Sequence, residues 1–304
     1  MPTAGEHRTT NGSIRDHVTP APLLSAQSVR IDQEGAPVVD QLTVETTGAA
    51  VAVLGAPRAL FAAAAGMREV SGGVLRVAGL APSEALRAAT LAAVPVDVPV
   101  PASWTALRFV TANARLAGQS PHGARAALEA MQLGSYANVK LAAAAPVVRR
   151  AVMIASALAT GAETLLVEDF SPGLPDDAAR SLSRAFIHAA RERRWLLFAG
   201  RLALSSPLGI QAEEALVFSG SRLLASGPPA EIAARERTFT VRVQGAKAGV
   251  YAERLREHGA TVQAAGASLT VTMTAALTPR DLVLVAKETD VVVLELAPLS
   301  PALM

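Results

Sequence analysis

Two adjacent carboxylates, Glu168 and Asp169, are the strongest candidates for chemistry in this sequence. They close the apolar run Leu165-Leu166-Val167 and precede a Ser171-Pro172-Gly173 turn and a helix opening on Pro175, Asp176 and Asp177. A short apolar run bounded by turn signals predicts a strand buried on both faces, as in a parallel sheet. Open α/β folds place their ligands at the carboxyl ends of such strands. In phosphoryl-transfer sites one acid there holds magnesium and another aligns the attacking water. The competing expectation is a strand end whose acids are simply solvated near a helix start, where the macrodipole favours negative charge.

Phosphate chemistry would also need a cradle. Ala49–Leu54 is fully apolar and predicts a central strand, followed by Gly55-Ala56-Pro57-Arg58 and a helix over Ala62–Met67. A phosphate loop needs glycines so that backbone N–H groups can close around the anion, a Lys for the β- and γ-phosphates, and a Ser or Thr for magnesium. Here only Gly55 remains, no Gly-Lys-Ser/Thr follows, and Pro57 removes a donor. Arg58 is the sole cation of the loop, and its expected role is that of a solvated turn residue. The five histidines are scattered without ligand spacing. Ser25, Ser71 and Ser171 show no hydrolase triad.

The elements that must position these residues follow from patterning. At 304 residues the chain has room for one large domain and a smaller one. It is 51% hydrophobic but only 4% aromatic, and the excess is mostly alanine broken by Arg, Pro or Gly, so hydropathy predicts a soluble protein. Zero cysteines exclude disulfides and thiolate sites and fit a reducing cytosol. A net charge of +2 with interspersed signs gives no nucleic-acid footprint. Residues 1–21 are expected to be a disordered leader. Alternating strands and helices over 22–236 predict an α/β domain with a largely parallel sheet. Arg191-Glu192-Arg193-Arg194 is expected to end a helix, where cations suit the dipole. From Thr238 the order becomes β-α-β-β-α-β, that of a ferredoxin-like α+β module spanning 237–304.

Taken together, the pieces resemble the ATP-binding subunit of an ABC transporter, and most of all the exporter subgroup with a small C-terminal α+β domain. Gly66-Met67 with Ser71–Gly79 is similar to the segment after the first helix of these subunits. Val94–Asp97 with Trp104-Thr105 resembles the Q-loop and the opening of the helical subdomain. Arg149-Arg150 with Ala155–Leu158 resembles the end of the signature helix, Thr164–Pro175 the Walker B and D-loop, and Ser219–Ile232 the closing hairpin and helix. The implied fold is a P-loop NTPase-like ABC ATPase domain, a mixed sheet with a helical subdomain over 98–158, plus the C-terminal module.

The catalytic positions depart from the family pattern. The adenine-stacking aromatic is missing near Asp32, the Q-loop glutamine falls on Val96, and the signature falls near Ala145-Pro146-Val147. Walker B reads Glu168-Asp169 rather than Asp-Glu, the switch histidine falls on Gly200 or Arg201, and the D-loop aspartate on Pro175. Without a preorganised partner for the phosphate charge, the main part of phosphoryl-transfer catalysis is lost. The resemblance therefore implies a pseudo-ATPase with no cofactor, or at most weak Mg-ATP. In it, Gly55 and Arg58 are Walker A remnants, Glu168 and Asp169 the Walker B remnant, and Glu168 the magnesium ligand if nucleotide binds. It implies a permease partner docked through Trp104, Thr105 and Arg108, a competent ATPase subunit or a second copy, and a peripheral position on the cytoplasmic face of the plasma membrane. Two alternatives stay open: a weak ATPase using Arg58 as phosphate clamp, and a nucleotide-independent scaffold.

Overall fold

The computed structural model describes residues 21–96, 98–235, 238–244, 247–265, 268–274 and 277–298, so the expected leader lies almost wholly outside the described residues. The chain opens on a hairpin, β1 (Leu24–Gln33) and β2 (Ala36–Glu45). Its two-residue turn places Glu34 and Gly35 at φ 52° and 81°, the paired positive angles that suit the right-handed twist of the strands. β3 (Ala50–Leu54), α1 (Arg58–Ala64), β4 (Gly72–Val77), α2 (Pro82–Arg87) and β5 (Leu91–Val94) follow. Then come α3 (Ala106–Leu116), α4 (His122–Ala130), α5 (Pro146–Ala159), β6 (Thr164–Glu168), α6 (Asp176–Ala189) and β7 (Arg194–Ala199). The α/β part closes with α7 (Pro207–Gln211), β8 (Glu214–Ser219), β9 (Arg222–Gly227) and α8 (Pro229–Arg235).

Six strands form the central sheet in the order β5-β6-β7-β3-β8-β9. All neighbours are parallel except β8 and β9, so the sheet is mixed. Its apolar runs are continuous because each face has its own core. Leu165 and Val167 of β6 point into a cluster with α3 to α6, whereas Leu166 points into a second cluster with α1 and the three-stranded antiparallel sheet β2-β1-β4. Alternation along a strand therefore demands apolar side chains at every position.

Two helix starts lie earlier than the sequence suggests. α1 begins at Arg58 rather than Ala62, immediately after Pro57 at its N-cap. α5 begins at Pro146, ahead of the Arg149-Arg150 pair that marks this helix in the sequence. Proline at the first helical turn loses no bond, because that N–H has no partner within the helix. The basic cluster also goes elsewhere: α6 ends at Ala189, and Arg193 donates to the carbonyls of Ala162 and Leu158 at the end of α5. It satisfies the C-terminus of a neighbouring helix instead of its own.

The remaining elements are β10 (Thr238–Gln244), α9 (Ala248–Glu257), β11 (Thr261–Ala265), β12 (Ser268–Thr272), α10 (Pro279–Glu288) and β13 (Val292–Pro298). Their strands form an antiparallel sheet ordered β11-β12-β10-β13. Phe239, Val241, Tyr251, Leu255, Leu269 and Leu282 belong to a separate core. The Tyr251 hydroxyl donates to the Leu282 carbonyl at 2.9 Å, tying α9 to α10. Among the described residues no helix is long and apolar enough to cross a membrane.

Candidate functional site

Glu168 is the last residue of β6, and the parallel neighbours of that strand set what it can reach. Its Oε1 lies 2.7 Å from Arg58 Nε, and Arg58 Nη2 donates to Oε2 at 3.1 Å. The backbone N–H of Val96, two residues past β5, donates to the same Oε2 at 2.8 Å. Arg58 is thus the first residue of α1 and an ion-pair partner, which corrects its expected role as a solvated turn residue. The Arg58 side chain is 70% exposed, against 14% for Glu168, so solvent screening holds the pair to at most about 1 kcal/mol. Its importance is positional. One carboxylate fastens the loop after β3 to the segment after β5.

Asp169 turns the other way. Its N–H donates to the Phe198 carbonyl at 2.8 Å, and its Oδ1 accepts the Ser171 N–H at 2.8 Å. That bond, from a side chain to the backbone two residues on, builds the turn itself. Burial pushes the Asp169 carboxyl above its ordinary 3.8, against the opposing pull of the Ser171 bonds and the Arg150 charge. Arg150 on α5 holds the turn from outside, with Nη1 donating to the Phe170 and Pro172 carbonyls at 2.7 Å each.

A raised carboxyl pKa costs stability wherever the folded protein must ionise it. The folded state binds the proton more tightly, so this contribution falls as pH rises from 3.8 through the elevated folded value and then stays constant. Asp169→Asn keeps an acceptor for the Ser171 N–H and removes the buried charge. The variant is expected to melt at a higher temperature than the parent at neutral pH, and the gap is expected to close below pH 3.8. Paired thermal melts across that range check both signs.

Gly55 is needed for backbone reasons. It sits at φ +68°, and a Cβ there would lie 2.9 Å from the Phe218 carbonyl oxygen. Its N–H donates to the Ala199 carbonyl at 2.9 Å. The glycine that a phosphate loop would use as an open donor is committed to β7, and Pro57 has no N–H to offer. The helix that follows has only seven residues.

Magnesium and a nucleotide triphosphate fit this donor set poorly. Both Glu168 oxygens are engaged by the Arg58 guanidinium, one of them also by the Val96 N–H, and Asp169 is folded into its own turn. Among the described residues no group of three His, Cys, Asp or Glu could hold a metal ion.

Trp104, Thr105 and Arg108 form a local unit away from the acids. Thr105 caps α3 by accepting the Arg108 N–H at 3.3 Å, and the Arg108 guanidinium lies 4.6 Å from the centre of the half-buried Trp104 ring. The Trp104 backbone bonds to Pro101 and Leu141. Arg201, at the expected switch position, borders a cleft of about 290 Å³ with Asp169, Ser171 and Asp176. Sequence reasoning missed Val96 as a donor and Arg150 as a clamp. The Val96 contact is made by the backbone and leaves no trace in residue type, whereas an arginine within the apolar α5 is a signal that could have marked Arg150.

The sequence matches no family model and no curated protein. Solved structures do match. One is the ATP-binding subunit of an ABC transporter, at TM-score 0.59 and 16% identity over 69% of this chain and 91% of that one. Another is the ADP conformation of MJ1267, an ATP-binding cassette of an ABC transporter, at 0.59 and 14% over 68% and 91%. A third is cbiO1 from Clostridium perfringens, part of the ABC transporter complex cbiONQ, at 0.60 and 14% over 71% and 92%. The fold is that of an ABC ATPase. At these identities the likeness concerns the fold alone. Within an ABC ATPase fold, Glu168 and Asp169 sit at the carboxyl end of a central parallel strand, and Gly55 and Arg58 follow its near neighbour β3.

Proposed function

We propose that this chain is a catalytically degenerate ABC-type subunit, a pseudo-ATPase serving a membrane exporter. The observation that carries this reading is the Arg58–Glu168–Val96 bridge, in which side chain and backbone occupy the acid that would otherwise hold magnesium. The engaged Gly55 amide supports it. The chain keeps the sheet and helices of the fold and lacks the preorganised charge that phosphoryl transfer requires. Its work is then binding: it docks a permease at the cytoplasmic face through the start of α3 around Trp104, Thr105 and Arg108. It pairs there with a competent ATPase subunit or a second copy. We divide the chain at 236/237 and read the C-terminal sheet and its two helices as a ferredoxin-like module.

Phosphate release from Mg-ATP by the purified chain tests this reading. The expected rate equals the buffer background and is unchanged in Asp169→Asn. Turnover that disappears in Asp169→Asn contradicts it. The exposure of Arg58 favours a second reading, since a side chain 70% exposed is free to leave Glu168 and clamp phosphate in a weak ATPase. That reading requires Arg58→Ala to abolish the turnover.

A further inference from the structure

A basic groove runs between α6 and α7 and shares Arg180, Ala203, Ser206 and Pro207 with the cleft that Asp169 borders. Arg180, Arg184 and His188 recur every fourth residue on one face of α6, and Arg191 continues the row just past the helix end. All four are exposed. Its helical part, Arg180 to His188, spans ~12 Å, eight residues at ~1.5 Å each. The facing wall is apolar and hydroxylated, with Ala203, Ser205, Ser206, Pro207 and Ile210 enclosing about 800 Å³. Ile210 is 67% exposed.

That wall is held firmly. Ser206 caps α7 by accepting the Gly209 N–H at 3.0 Å, and its own hydroxyl donates to the Ala203 carbonyl at 2.6 Å. A Cβ at Gly209 would lie 2.2 Å from that carbonyl oxygen, so only glycine lets α7 approach so closely.

The charge arrangement is unfavourable by itself. Like charges four residues apart on a helix repel. No acidic residue lines the groove, and among the described residues neither Arg180 nor Arg184 is joined to a carboxylate. Arg191 contacts Glu192 at 3.4 Å with both side chains mostly exposed, which contributes little. In α9, by contrast, Arg254 and Arg256 each meet a glutamate three residues away at 2.6 Å. In α6 the first-turn acids Asp176 and Asp177 precede Arg180 by four and three residues without an ion pair to it, and Arg184 has no acid three or four residues away.

We propose that this groove binds an acidic amphipathic helix of a partner protein, its carboxylates repeating every fourth residue against the arginine row and its apolar edge on Ile210 and Pro207. Charge complementarity and the paired cationic and apolar walls carry the assignment. No aromatic side chain lines the groove to stack a base, and the concave shape suits a peptide better than a lipid surface. Residues 1–20, with two acids and two arginines, and 299–304, with no charged side chain, do not have the acidic amphipathic pattern.

The test uses the full chain and a fluorescein-labelled peptide of roughly 14 residues, long enough as a helix to cover the row. The peptide carries Glu at every fourth position and Leu on the adjoining face, and binding is read by anisotropy. Saturable binding is expected that weakens with salt, falls by about tenfold or more in the double variant Arg180→Glu/Arg184→Glu, and falls in Ile210→Ser without a change in salt dependence. The altered side chains are exposed, and matching thermal melts verify the variants' fold. No binding below millimolar peptide, or equal affinity in the double variant, overturns the proposal. So does tighter binding of a single-stranded oligonucleotide or of phosphatidylglycerol vesicles than of the peptide.

Discussion

Truncating Phe186 to alanine is expected to lower the stability of the α/β unit by about 3–5 kcal/mol, the range for removing a fully buried phenylalanine ring. Phe186 lies on the inner face of α6 and is fully buried. Its ring meets Phe170 and Trp195 edge to face, each at 5.9 Å between centroids. Phe170 directly follows Asp169, and Trp195 begins the buried part of β7, so one side chain braces the acid-bearing strand end against its neighbour. In a chain with 4% aromatics this trio is a large share of the big side chains, and the surrounding alanines cannot grow to fill the space. Urea denaturation measures the loss. Phe186→Leu, which retains most of the volume, is expected to recover more than half of it.

Glu214→Ala is expected to cost about 2–4 kcal/mol, although it deletes a surface-type residue. Glu214 is 7% exposed at the start of β8. Its Oε2 accepts the Thr47 N–H at 2.7 Å, the Gly48 N–H at 3.0 Å and the Thr47 hydroxyl at 3.3 Å. The carboxylate organises the turn that feeds β3, the strand leading to Gly55 and Arg58. Alanine leaves the buried Gly48 N–H and the partly buried Thr47 N–H without their acceptor, which costs more than a typical hydrogen bond is worth. Glu214→Gln keeps a carbonyl acceptor and is expected to lose clearly less. A denaturation midpoint that separates alanine from glutamine in this order verifies the mechanism, and equal losses would point to packing instead.

The buried strands were legible because their sequence has no freedom. Ala50–Leu54 and Leu165–Val167 feed two cores at once, so every position must be apolar, and a run of that kind bounded by turns can be read directly. The start of α5 was harder, because a proline that breaks a helix elsewhere opens one at its first turn. β8 and β9 were legible only as part of a closing hairpin. A buried glutamate starts β8, and β9 alternates in exposure down to Gly227. Within the site, the positions of Gly55, Arg58, Glu168 and Asp169 along the chain could be read, and their connections could not. The partner of Glu168 lies 110 residues away, and its other donor is a backbone N–H. Arg193 likewise completes a helix end more than thirty residues earlier in the chain, beyond the reach of local pattern.

The central claim is that the chain's own groups have closed the nucleotide site. Calorimetric titration of Mg-ATP into the purified protein, beside a competent ABC ATPase subunit as control, tests it most directly. The account predicts no binding heat up to millimolar nucleotide for the parent chain. It predicts none for Arg58→Ala either, because freeing Glu168 does not restore the missing lysine or the committed Gly55 amide. Saturable binding by the parent that is lost in Arg58→Ala would contradict it and identify Arg58 as a working phosphate clamp.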